Sequence, residues 1–151
     1  MENVSFRVAE IQISYRPAFK AAEQPQITSS DEAYQILLEH WDEGRLEFLE
    51  EFKVVLLNRR SRVLGVVNIS QGGLSGTIAD PKVIFAVALK ACASSVILAH
   101  NHPSGELSPS EADLVLTKRL VAGGDILGIT VHDHLIVSRC GFYSFGDEGL
   151  I

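Results

Sequence analysis

The stretch "SSVILAHNHPSGELSPSEAD", residues 94–113, joins an unbroken apolar run to a segment crowded with histidine, serine, proline and acid. Ser94–His100 reads as a strand, and its continuous apolar content marks it as central and buried on both faces. Pro103 resists further ladder pairing, and Gly105 permits a sharp reversal. Ser108, Pro109 and Glu111 then match an N-cap, a first helical position and an N3 acid. The helix they open is expected to reach about Val121 and to stop at Gly123 and Gly124.

The flanking sequence alternates strands and helices. Upstream, "DPKVIFAVALKACA" has Asp80 as N-cap and Pro81 at the first helical position. "EEFKVVLLN" and "RVLGVVNIS" are β-rich runs joined by a short polar turn, which suggests a hairpin. "SSDEAYQILLEHWDEG" reads as a helix with a Ser29/Glu32 capping box and Gly44 as its stop. Downstream, "ITVHDHLIV" and "FYSF" supply further strands. The expected class is α/β, with a mixed sheet flanked by helices. Residues 1–27 form a strand-like run, "VSFRVAEIQIS", and a proline-containing linker, and the main domain occupies 28–149.

His100 and His102 lie two apart in extended chain, so their side chains point together, with Asn101 opposite. Ser110 and Asp113, three apart at a helix start, share a face. Two imidazoles and a carboxylate, His100, His102 and Asp113, make a three-ligand set, the kind that holds catalytic zinc and leaves a fourth position for water. Metal-assisted hydrolysis also uses a general base that is not itself a ligand. On the first hairpin strand Glu50 shares a face with Phe52, Val54 and Leu56, where a carboxylate is costly unless it has a role. Glu50 is therefore the candidate base, with Glu51 in reserve. A second H-x-H, His132-Asp133-His134, lacks a following Ser-x-x-Asp and reads as a hydrogen-bonding element supporting the first site. His40 is expected at the surface. The glycine-rich Gln71–Thr77 could shape a groove or be a plain turn.

Composition sets the outer limits. With 151 residues the chain can bury a core, and its two cysteines fit neither a disulfide framework nor a four-cysteine zinc site. No signal peptide or membrane-length apolar run is present, so a cytoplasmic protein with no membrane partner is expected. The net charge of −6 gives DNA binding no support, and the basic "NRRSR" (Arg59, Arg60, Arg62) reads as a hairpin turn.

These residues resemble the RadC-like branch of the JAB/MPN superfamily, whose metal signature is called JAMM. His100, His102, Ser110 and Asp113 meet its H-x-H, seven residues, S-x-x-D pattern, and Glu50, Phe52, Leu57 and Asn58 match its E-x-F strand entry. "LAHNHPSG" (98–105), "DHLIV" (133–137) and "YSFGDEG" (143–149) are similar to further blocks of the family. The resemblance implies a cytidine-deaminase-like α/β fold and a zinc metallopeptidase or isopeptidase with one Zn2+ per chain. It implies His100, His102 and Asp113 as ligands, Glu50 as base, Ser110 as oxyanion donor, and a peptide or isopeptide as substrate.

Other readings are a DNA-associated protein or metal-dependent nuclease, and a non-catalytic scaffold. Members of the branch commonly carry a DNA-repair label. The start of this chain resembles a strand and linker rather than the helical extension of longer members, which weakens the DNA reading. A deaminase is disfavoured because its H-x-E and P-C-x-x-C signature is absent.

Overall fold

The structure, a computed structural model, describes residues 7–12, 14, 16–72 and 79–151. It is α/β. Strands β1 (Glu51–Leu57), β2 (Val63–Gln71), β3 (Ser95–Asn101), β4 (Thr130–Ser138) and β5 (Gly141–Ser144) form one sheet in the order β2-β1-β3-β4-β5. Both hairpins, β1–β2 and β4–β5, are antiparallel, as is the β1–β3 pair, and β3 and β4 run parallel. The sheet is mixed, as expected, and β3 is its central, wholly buried strand.

Among the described residues three helices cover the sheet: α1 (Ser30–Glu39), α2 (Pro81–Lys90) and α3 (Glu111–Leu127). Strand alternation divides the core in two. Val55, Leu57, Ile97 and Leu135 pack against Ala33, Tyr34 and Leu37 of α1. Phe52, Val54, Leu56, Val96 and Leu98 face Ile84 and Ala88 of α2 and Leu120 of α3. Each fully buried leucine contributes about 1.5–3 kcal/mol relative to exposure. His100 continues the β3 face of Leu98, so it emerges on the α2/α3 side at the carboxyl end of the parallel pair.

Helix boundaries show where sequence cues compete. α2 begins as anticipated, with Asp80 accepting the Lys82 N–H and Pro81 at the first position. α1 starts at the Ser29 cap, but Glu32 turns back to Thr28 rather than to Ser29. α1 ends at Glu39, not Gly44, because His40 and Trp41 close tight turns onto Leu37 and Leu38.

The cap of α3 is Ser110, not Ser108. Two cap patterns overlap in Ser-Pro-Ser-Glu-Ala-Asp, and the second prevails because Asp113 closes a reciprocal box with Ser110. α3 also runs through Gly123 and Gly124 to Leu127, and Gly128 at φ 70° ends it. Gly124 is a packing glycine, since a Cβ there would lie 2.2 Å from the Ile129 carbonyl oxygen.

The described part of the N-terminal run, residues 7–12 and Ser14, is exposed and carries no strand. Alternation produces a strand only where a neighbour closes the ladder. The linker turns through a short 3-10 segment, Ala21–Glu23, and Gln26 then bridges to Arg62. Gly73–Thr77 of the glycine-rich loop lie outside the described residues. Cys92 and Cys140 are exposed and unpaired. Among the described residues no helix is long and apolar enough to cross a membrane.

Candidate metal centre

Extended chain carries His100 and His102 to the end of β3, and the loop that follows aims the second ring. Pro103 and Ser104 occupy a turn in which the Gly105 N–H donates to the His102 carbonyl at 2.8 Å. That turn brings the Glu106 carbonyl 2.7 Å from His102 Nδ1. A carbonyl only accepts, so Nδ1 carries a proton and Nε2 faces the other way.

Three donor atoms converge there. His100 Nε2 and His102 Nε2 are 3.0 Å apart, and Asp113 Oδ2 lies 3.3 and 3.4 Å from them. Ligands about 2.0–2.1 Å from a tetrahedral zinc sit roughly 3.3 Å from one another. The triangle thus has the edge lengths of a coordination tetrahedron, with histidine and carboxylate donors suited to zinc. Glu50, just before β1, joins the group: a carboxylate oxygen and a nitrogen of each histidine all lie within 4.8 Å of one another.

The electrostatics ask for a positive charge at the centre. Burial alone would raise the Asp113 carboxyl, but the adjacent His100 and His102 rings hold it well below the ordinary carboxylate range. Hydrogen bonding to Asp113 raises His102 against the effect of burial, with the Glu106 carbonyl and the Glu50 charge adding to it. A proton or a metal ion between these groups answers the same need.

The α3 cap sets the third donor. Ser110 N–H donates to Asp113 Oδ2 at 2.8 Å, and Ser110 Oγ accepts the Asp113 N–H at 3.1 Å. Ser110 is exposed beside the cluster, and its own hydroxyl proton is not used by the cap. Glu50 and Asp113 each lie beside the two histidines, and Ser110 joins this group through its cap contacts with Asp113. Glu51, the reserve base, does not. It is buried on the opposite face of β1, with Oε2 3.5 Å from Lys53 Nζ.

Sequence reasoning passed over Asn101 and Thr117. Asn101, fully buried between the two histidines, accepts the Glu51 N–H and donates to the Leu46 and Leu49 carbonyls. It ties down the segment that delivers Glu50. A polar residue between two histidines at the end of an apolar strand was the available signal. Thr117 touches His134 Nδ1 at 2.6 Å, and His134 Nε2 lies 2.8 Å from His100 Nδ1.

His134 reaches the site because of a register shift. Val131 pairs with Val96 and Asp133 with Ile97, so His132 is the extra residue of a bulge. His132 and His134 consequently do not share a face. His132 and Asp133 line a cavity of about 410 Å3 at the α1 face, away from His100, His102 and Asp113. Asp133 there accepts from Ser144 Oγ and the Gly146 N–H, fastening the C-terminal turn.

A family model for RadC-like JAB domains matches residues 27–150. The chain belongs to the RadC-like JAB domain family. A UPF0758 protein of Flavobacterium johnsoniae is 43% identical over 125 residues, covering 83% of this chain and 53% of the relative. One from Alkaliphilus metalliredigens is 41% identical over 126 residues, 83% of this chain and 53% of its own length. Another, from Porphyromonas gingivalis, is 46% identical over 103 residues, 68% and 45% of the two chains. The chain spans about half the length of the curated relatives it matches. Membership places this RadC-like JAB domain in a family of hydrolases and scaffolds, and its Glu50, His100 and His102 cluster can hold a metal ion.

Proposed function

We propose that this domain is a zinc-dependent amide hydrolase of the JAMM type, cutting a peptide or isopeptide bond, with one zinc ion per chain. The observation that carries this reading is the triangle of His100 Nε2, His102 Nε2 and Asp113 Oδ2, with the Glu50 carboxylate beside it. His100, His102 and Asp113 would hold the ion. When bound, zinc acidifies water and acts as a Lewis acid toward a carbonyl.

The chain's own groups supply the rest. Glu50 takes the proton from the attacking water and returns it to the departing amine, as a general base that becomes a general acid. Ser110 donates its unused hydroxyl proton to the oxyanion of the tetrahedral adduct. Asn101 keeps Glu50 in reach by holding Glu51 N–H and the preceding loop.

The basic turn supports this reading over a nucleic-acid one. Arg59, Arg60 and Arg62 follow the far end of β1 from Glu50, where Asn58 Oδ1 accepts the Arg60 and Arg62 N–H groups. A phosphate held there is remote from the donors.

The test is Glu50→Gln assayed on a library of peptide and isopeptide bonds with zinc-loaded protein. The variant is expected to bind zinc as the native chain does and to lose turnover by 100-fold or more, the scale of a general base, roughly 10²–10⁴. Native-like turnover in Glu50→Gln would remove Glu50 from the mechanism.

A further inference from the structure

Behind His100, away from the donor triangle, two short hydrogen bonds leave one arrangement of protons. Thr117 Oγ1 lies 2.7 Å from the Asp113 carbonyl, four residues earlier on α3, and 2.6 Å from His134 Nδ1. A carbonyl oxygen accepts only, so the single Thr117 proton is spent on it. Toward His134 the hydroxyl can then only accept, which puts a proton on His134 Nδ1.

His134 is fully buried, and among the described residues the hydrogen-bond partners of its ring are His100 and Thr117, neither of them a carboxylate. Its ring is neutral and has one N–H, so Nε2 is a bare acceptor. His100 Nδ1, 2.8 Å from that acceptor, must donate. The opposite nitrogen of His100, Nε2, keeps its lone pair and faces His102 and Asp113.

We propose that Thr117 and His134 form a relay of hydrogen-bond direction that locks His100 in its Nδ1–H tautomer, the form able to ligate through Nε2. This rests on the metal-site reading above. Both are positioning residues acting through His100. Packing keeps the ring planes in place: His134 stacks on Phe145 at 4.6 Å between centroids, and Phe52 lies parallel to His100 at 6.0 Å. The relay starts on the main chain of Asp113, whose side chain is the third donor, so the start of α3 fixes one donor directly and a second through its proton. His102 gains the same tautomer from a single carbonyl, that of Glu106, because its loop is exposed enough to supply one. His100 lies on a buried strand, and its Nδ1 meets the His134 imidazole that the bulge at His132 delivers.

The test reads the protons directly. Long-range 15N–1H spectra of the imidazoles are recorded on the full, metal-free chain at mildly alkaline pH, and zinc affinity is measured by competition with a chromophoric chelator. In the native chain His100 and His134 are both expected to carry their proton on Nδ1. Thr117→Val keeps the side-chain shape and removes the hydroxyl. It is expected to bring up an Nε2–H population at His100 and to weaken zinc about 10–100-fold, and Thr117→Ser is expected to restore both. His134→Phe, which keeps an aromatic ring against Phe145 and removes the acceptor, gives an independent route to the same change.

A native His100 protonated on Nε2 alone would overturn the relay. So would an unchanged tautomer and zinc affinity in both Thr117→Val and His134→Phe. If the tautomers are as stated, respond to Thr117→Val, and the chain takes up no zinc, the relay stands and the metal reading fails.

Discussion

The side-chain carbonyl of Asn101 accepts the main-chain N–H of Glu51 at 2.7 Å, while its amide donates to the Leu46 and Leu49 carbonyls at 2.7 and 2.8 Å. The residue between the two histidines thus clamps the segment that carries Glu50. Asn101→Ala leaves a buried N–H and two carbonyls without this partner. A loss of about 2–4 kcal/mol is expected, at roughly 1–3 kcal/mol for each buried group left unpaired and with partial relaxation. The midpoint of urea unfolding reads it, and native stability in the variant would show that the clamp is dispensable.

Gly124→Ala places a methyl 2.2 Å from the Ile129 carbonyl oxygen, against backbone that cannot swing away. Alanine improves helix propensity by about 1 kcal/mol, and overpacking costs about 1–3 kcal/mol or more. Net destabilisation is expected. At Gly123 the new methyl meets the Phe85 ring at 2.9 Å, a side chain able to shift, so a smaller loss or a gain is expected. Thermal unfolding of the two variants checks the order, and equal effects would contradict it.

These two glycines also show what the sequence hides. Gly-Gly reads as a stop when only neighbours along the chain are known, and the reason to continue, the approach of Ile129, is tertiary. The Ser108/Ser110 choice is similar, since local propensity favours either cap and the interlock of Asp113 with Ser110 decides. By contrast the Asp80-Pro81 start, the β1–β2 hairpin and the buried β3 are local patterns, and they are legible. In the site, period-two alternation is enough to pair His100 with His102 and to separate Glu50 from Glu51. It fails at His134, because a bulge adds one residue and reverses the parity of the strand.

Complete burial, with repulsion from His100 next, pushes the His134 imidazole well below its ordinary value. In the metal-free chain the unfolded state takes up this proton below about pH 6.5 and the folded state does not. Its contribution to stability is therefore present above that pH and is lost as pH falls toward the depressed folded value, by up to about 1.4 kcal/mol per pH unit. His102, raised by Asp113, acts in the other window: its contribution is present below about pH 6.5 and lost as pH rises through the raised value. Denaturant unfolding across pH should show a flatter acid limb in His134→Phe than in the native chain. Identical acid limbs would contradict the assignment.

Glu51 and Lys53 are both buried, with Glu51 Oε2 3.5 Å from Lys53 Nζ, and Lys53 donates to Asn68 and lies over the Trp41 ring. Lys53→Met strands the Glu51 carboxylate, with an expected loss of about 3–5 kcal/mol. Adding Glu51→Gln should recover much of it, because no charge is then left unpaired. A double variant as unstable as the single one would show that the pair is not what holds this face of β1.

The account turns on the donor triangle of His100, His102 and Asp113, and the most direct measurement is metal content by elemental analysis of native and His102→Ala protein purified without added metal. One zinc per native chain, absent from the variant, is the expected result. A native chain that holds no zinc, even after reconstitution with an excess of the ion, would contradict the metal centre.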